Sequence, residues 1–191
     1  EPAPRSSGSG GGPVQLLCVA SLTPRKGHVA LLEALADCRD LDWRLVCAGP
    51  PDPDSDTQDQ VEAALTRLGL AGRVRLVGAQ VGPALERLYA AADVFALATR
   101  YEGYGIVFAE AMAHGLPIVA TGAGAVADTV PDAAGTLVPL DDRAALAGAL
   151  RRMIGDAAFR RAKAEGAWRA GQSLPRWTDT AAAFAGALAD I

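Results

Sequence analysis

With 191 residues, 50% of them apolar and 21% charged, the chain is long enough for one soluble domain with its own core. A formal charge of −4, from 18 basic and 22 acidic residues, argues against a general nucleic-acid or membrane-surface binder, but not against a small anionic ligand held by a few placed cations. Three cysteines without a Cys-x-x-Cys spacing argue against a disulfide framework and against a zinc site.

The opening segment, Glu1 to Pro13, is polar and rich in Gly, Ser and Pro. It predicts a flexible linker from a domain attached upstream, with the folded unit spanning 14–191. No apolar run reaches the roughly 18 residues of a membrane span, and the start lacks a signal-peptide pattern. With the cysteines, this predicts a reduced, cytoplasmic setting.

Val14 to Ala20 is a continuous apolar strand broken only by Gln15, and Gly27 to Asp37 carries Val29, Leu31, Leu32, Leu35 and Ala36 at helical spacing. Trp43 to Ala48 forms a second strand, closed by Gly49-Pro50-Pro51. Asp59 to Leu68 reads as a helix with Val61, Leu65 and Leu68 on one face. The alternation continues with strand at Val74 to Gly78, helix at Pro83 to Ala92, strand at Val94 to Ala98, helix at about Gly105 to Ala113 and strand at Pro117 to Thr121. Continuous apolar strands interleaved with helices predict a parallel sheet covered on both faces, hence a Rossmann-like doubly wound α/β fold. Past Pro139 the pattern is helical. Asp142 can cap a helix carrying Leu146, Leu150 and Met153, and further helices are predicted at Ala157 to Ala170 and Arg176 to Leu188. Cys18 and Cys47 sit in apolar runs and read as buried, while His28 and His114 are too far apart for a local metal pair and read as packing or surface residues.

Ligands of such sheets bind beyond the carboxyl ends of the strands. After the first strand, Arg25 and Lys26 place two cations before a helix, either a solvated pair or a clamp on a diphosphate. After the fourth strand comes Arg100-Tyr101-Glu102-Gly103-Tyr104-Gly105-Ile106. Glycines on both sides of one aromatic let backbone approach a ligand, and the helix start offers free N–H groups to phosphate. Glu110 then lies about 7–8 Å along the helix, so phosphates at its start have a carboxylate on each side. Glu102 is placed to reach hydroxyls beyond the β-phosphate, and Glu110 a ribose diol. The plainer alternative is that Glu102 complements the helix dipole and Glu110 faces solvent.

The nineteen residues from Glu102 to Ala120 resemble the Glu-x7-Glu signature of retaining glycosyltransferases of family 4. These enzymes have the GT-B fold, two Rossmann-like domains facing across a cleft. The resemblance covers about residues 14 to 190, as the donor-binding C-terminal domain. It implies that Lys26 matches a lysine binding the donor diphosphate, while Ser21 stands where the family has an arginine, a charge Arg25 can supply from another point. Glu102 is then catalytic together with Lys26 and Arg25. Gly103, Tyr104, Gly105, Ile106 and Glu110 bind the donor. Gly78, Ala79 and Gln80 match positions whose backbone meets the nucleobase.

Gly122-Ala-Gly124-Ala-Val-Ala127 mimics a dinucleotide fingerprint, but Pro131 follows too soon for a full βαβ unit. It fits better as the family's G-G-x-P-E loop, and Trp177 matches an aromatic of the family's last helix. The implied reaction moves a sugar from a nucleotide diphosphate donor, with retention, to an acceptor held by the upstream domain. No other cofactor and no metal is expected, and any membrane association is peripheral, through that domain. The fragment alone is expected to be inactive. The alternatives are a non-catalytic nucleotide-binding or regulatory module, which Ser21 favours, and another GT-B-like enzyme such as an epimerase.

Overall fold

A computed structural model describes residues 3–174, built on a six-stranded parallel sheet. In chain order the elements are β1 (Val14–Val19), α1 (His28–Ala36), β2 (Trp43–Ala48), α2 (Thr57–Arg67), β3 (Val74–Leu76), α3 (Pro83–Ala91) and β4 (Val94–Leu97). There follow α4 (Ile106–Ala113), β5 (Ile118–Thr121), α5 (Val126–Thr129), β6 (Gly135–Val138), α6 (Arg143–Gly155) and α7 (Ala157–Gln172). A short 3-10 turn, Pro24–Lys26, precedes α1.

The strand order is β3-β2-β1-β4-β5-β6, and right-handed crossovers fix the face that each helix covers. The chain steps one way from β1 to β3, so α1 and α2 cover one face. It steps the other way from β4 to β6, so α4 covers the opposite face. α6 packs on α1, and α7 on α4. Both faces being covered, every residue of β4 and β5 is buried, as their unbroken apolar runs require. Phe95 of β4 meets Phe108 of α4 edge-to-face at 5.5 Å, an arrangement that suits aromatic quadrupoles. The order reverses between β1 and β4, and the loops leaving those two strands diverge there. A crevice at that point is where such sheets take ligands.

The doubly wound α/β reading and its helical tail stand, with two elements added. β6 was not expected, because Gly135-Thr136-Leu137-Val138 opens on glycine and is short. That glycine is required by packing, since a Cβ there would lie 2.9 Å from the Ile118 carbonyl oxygen of β5. α5 is a single turn, below the length at which periodicity is visible. The helix start predicted at Gly105 falls at Ile106, with Gly105 as its cap. His28 and His114 are both buried. The helix predicted over Arg176 to Leu188, with Trp177, lies outside the described residues.

Asp142 does cap α6: its Oδ1 accepts the Ala145 N–H at 2.8 Å. Asp142→Ala is expected to cost about 1 kcal/mol, read as a fall in Tm of about 2–4 °C. An unchanged Tm would show that solvent serves this helix end equally well.

Residues 3–13, expected as a linker, run against the α3–α4–α7 side. Ser6 N–H donates to the His114 carbonyl at 2.9 Å and Ser7 N–H to Ala90 at 3.1 Å. Arg5 pairs with Glu165 and lies 5.6 Å from the Trp168 ring centroid.

Candidate functional site

Two loops meet at the reversal point because their backbones bond each other. The Arg25 carbonyl in the middle of the 3-10 turn accepts the Arg100 N–H at 2.7 Å and the Thr99 hydroxyl at 3.2 Å. Gly27 makes this contact possible. Its φ of +65° is left-handed, and a Cβ would sit 1.9 Å from the Ala98 carbonyl oxygen, so no other residue fits without moving β4 or the turn.

This approach brings Lys26 and Glu102 together. Lys26 Nζ and Glu102 Oε2 are 2.5 Å apart, with side chains only 9% and 13% exposed. The second carboxylate oxygen faces the Gly105 N–H at 3.4 Å. Burial of Glu102 works to raise its pKa. The bond and charge of Lys26, helped by the Gly105 N–H and the charge of Arg25, outweigh it and hold the carboxyl below its ordinary value. Arg25 itself is exposed, so its charge is available to a ligand beside the pair.

Gly105, at φ +70°, caps α4 without any side-chain hydrogen bond. The first-turn N–H groups therefore open onto the loop with the positive end of the helix dipole. Gly103, Tyr104 and Ile106 line this opening in the exposed state, Tyr104 at 87%. Two adjacent cations, a partly buried carboxylate and an uncapped helix start together make a site suited to a diphosphate carrying a hydroxylated group.

The other predicted residues bond to other partners. Glu110 is exposed on α4 and receives a hydrogen bond from the Tyr89 hydroxyl of α3 at 2.9 Å. Gly78, Ala79 and Gln80 follow β3 at the same edge of the sheet. The Gly78 carbonyl accepts the Gly49 N–H at 2.8 Å, and the Gln80 side-chain amide folds back onto the Val77 carbonyl at 2.7 Å. No side-chain bond joins these positions to Lys26 or Glu102 among the described residues.

Three supports of the site have contacts that the sequence does not reveal. Thr99 is buried and also donates to the Tyr101 carbonyl at 2.9 Å, holding the turn into Glu102. Ala125 N–H donates to the Glu102 carbonyl at 2.9 Å, and a Cβ on Gly124 would lie 2.3 Å from that same oxygen. The glycine pattern at 122–124 was visible, but its purpose, close approach to the Glu102 backbone, is a tertiary fact. Tyr89, with Leu85, Leu88 and Ala92-Asp93, matches an L-x-x-L-Y-x-x-A-D stretch of the family, but its bond to Glu110 is a tertiary fact.

A cavity of about 370 Å³ lies on the α1–α6 side, lined by Gly27, His28, Thr57, Thr121, Asp142 and Leu146 among others. Neither Lys26 nor Glu102 lines it. The candidate site is placed at the reversal point instead, because charge and free N–H groups converge there.

A family model described as glycosyl transferases group 1 matches residues 13–156. A D-inositol 3-phosphate glycosyltransferase from Salinispora tropica is 35% identical over 159 residues, covering 79% of this chain and 33% of that protein. HepE from Anabaena, solved in complex with UDP and glucose, is similar with a TM-score of 0.85 at 27% identity, over 94% of this chain and 49% of that one. The C-terminal domain of LpcC, a group 1 family protein from Francisella tularensis, is similar in fold with a TM-score of 0.78 at 23% identity, over 90% of this chain and 95% of that one. The chain thus spans about a third of the length of the curated relatives it matches. Family match, sequence identity and sheet order agree: the chain belongs to the group 1 glycosyl transferases and has the Rossmann-like fold of one half of a GT-B enzyme.

Proposed function

We propose that this chain forms the donor site of a retaining glycosyltransferase. It takes the nucleotide diphosphate of a sugar donor, while the acceptor is held mainly by a domain across the cleft. The observation that carries this reading is the nearly buried Lys26–Glu102 pair beside the uncapped start of α4. In the reaction the bond between the anomeric carbon and the β-phosphate oxygen breaks, and the acceptor oxygen bonds to that carbon from the same side. The acceptor proton passes to the departing phosphate oxygen. Negative charge grows on the leaving diphosphate, so Lys26, Arg25 and the N–H groups from Gly103 to Ile106 stabilise the transition state more than the ground state. Glu102 orients sugar hydroxyls, Glu110 takes the ribose diol, and the backbone of Gly78, Ala79 and Gln80 meets the base. UDP in HepE is a precedent for the nucleotide class. Among the described residues, no helix is long and apolar enough to cross a membrane.

The test is thermal shift and calorimetry with UDP-, GDP- and ADP-sugars and their diphosphates. One nucleotide class is expected to raise Tm by about 5–10 °C at a hundred times its Kd, with no sugar transfer by the chain alone. If no nucleotide diphosphate stabilises the fold, the donor-site reading is wrong. Ser21 in the arginine position favours a second reading, a nucleotide-binding module without catalysis. Turnover by the chain joined to an upstream acceptor domain decides between the two.

A further inference from the structure

Tyr89 is 1% exposed, yet its hydroxyl points at Glu110, a residue on the exposed face of α4. Its ring cannot swing away. It stacks on His114 at 4.9 Å with 5° between planes, and on Phe95 at 6.4 Å. His114 is held in turn, with Nε2 3.1 Å from the Glu86 carboxylate and Nδ1 2.9 Å from the Pro4 carbonyl. Burial, and then the charge of Glu110, keep the phenol well above its ordinary pKa, so it remains a donor at any working pH. The bond occupies Oε2, and Oε1 of Glu110 has no hydrogen-bond partner among the described residues.

We propose that Tyr89 is a positioning residue for donor recognition, its phenol fixing the Glu110 carboxylate so that the second oxygen is presented to the ribose diol of a nucleoside diphosphate. This rests on the role of Glu110 given under Proposed function. A glutamate on a helix surface otherwise rotates about three torsions, and a ligand must order all of them on binding. A donor anchored in the core removes that disorder beforehand, which is preorganisation in the usual sense. The diol supplies hydroxyl donors, and a carboxylate oxygen with free lone pairs is the acceptor they need.

The competing reading is that Glu110 merely satisfies a buried phenol. The two separate on the sugar of the ligand. Calorimetry on the chain uses whichever of UDP, GDP and ADP binds most tightly, together with its 2′,3′-dideoxy counterpart. Tyr89→Phe keeps the ring and its stacking. It is expected to weaken the ribonucleotide about three- to tenfold and leave the dideoxy form unchanged. Glu110→Gln is expected to erase the preference for the ribonucleotide, and Tyr89→Phe to add nothing in that background. Equal weakening of both ligands by Tyr89→Phe, or none, overturns the positioning role while leaving the role of Glu110 intact. A ribonucleotide preference that survives Glu110→Gln overturns the role of Glu110 itself, and the positioning role with it.

Discussion

Lys26→Met is expected to lower stability by about 3 kcal/mol at neutral pH and to reduce affinity for a nucleoside diphosphate about 10- to 100-fold. The pair is nearly buried, so removing the cation leaves the Glu102 carboxylate with only the Gly105 N–H at 3.4 Å and the field of exposed Arg25. Breaking one side of such a pair costs far more than replacing both sides. Lys26→Met with Glu102→Gln should therefore recover most of the lost stability while remaining unable to hold the diphosphate. The pH dependence has a fixed sign. Glu102 titrates below its ordinary value in the fold, so its contribution is complete above the unfolded value, about 4.3. It is lost as pH falls through the depressed folded value. Without Lys26 the burial penalty dominates, the carboxyl protonates at higher pH, and the deficit of the variant narrows on acidification. Melts from pH 3 to 8 check this. A deficit under about 0.5 kcal/mol at pH 7, or one that does not change with pH, would mean the pair is worth no more than a surface contact.

Gly27→Ala is expected to be worse, at about 4 kcal/mol, and Gly69→Ala isolates the reason. Both glycines have left-handed φ, +65° and +66°, but a Cβ at 69 meets nothing within 4 Å, whereas at 27 it lies 1.9 Å from the Ala98 carbonyl oxygen. Gly69→Ala should therefore show only the conformational penalty, about 1 kcal/mol. The remaining 3 kcal/mol or so at Gly27 is the displacement of the turn from β4. That displacement breaks the bonds from Arg100 and Thr99 to the Arg25 carbonyl. Urea denaturation of the two variants side by side measures the difference, and equal losses would mean the turn yields without resistance.

Much of this architecture was legible because burial on two faces writes itself as unbroken apolar runs. β2 was read to the residue at Trp43–Ala48, and β1, β4 and β5 to within one position. β6 escaped since Gly135 serves the backbone of β5 rather than a local pattern. In the site, Lys26, Glu102 and Gly105 were visible as cation, acid and glycine next to helix starts. That Lys26 and Glu102 pair with each other, across 76 positions of chain, depends on Gly27 tolerating contact with Ala98, which no local pattern encodes. Thr99, Gly124 and Tyr89 act through partners distant in sequence, so their part emerged only with the fold.

The bonds from Arg100 to Arg25 and from Ala125 to Glu102 tie three loops together through the backbone itself. A guest entering this corner meets a frame already wired, so little loop order remains to be created on arrival. Its association should proceed with the near-unchanged backbone of a rigid receptor, its heat-capacity change reflecting the surface covered rather than a segment folding.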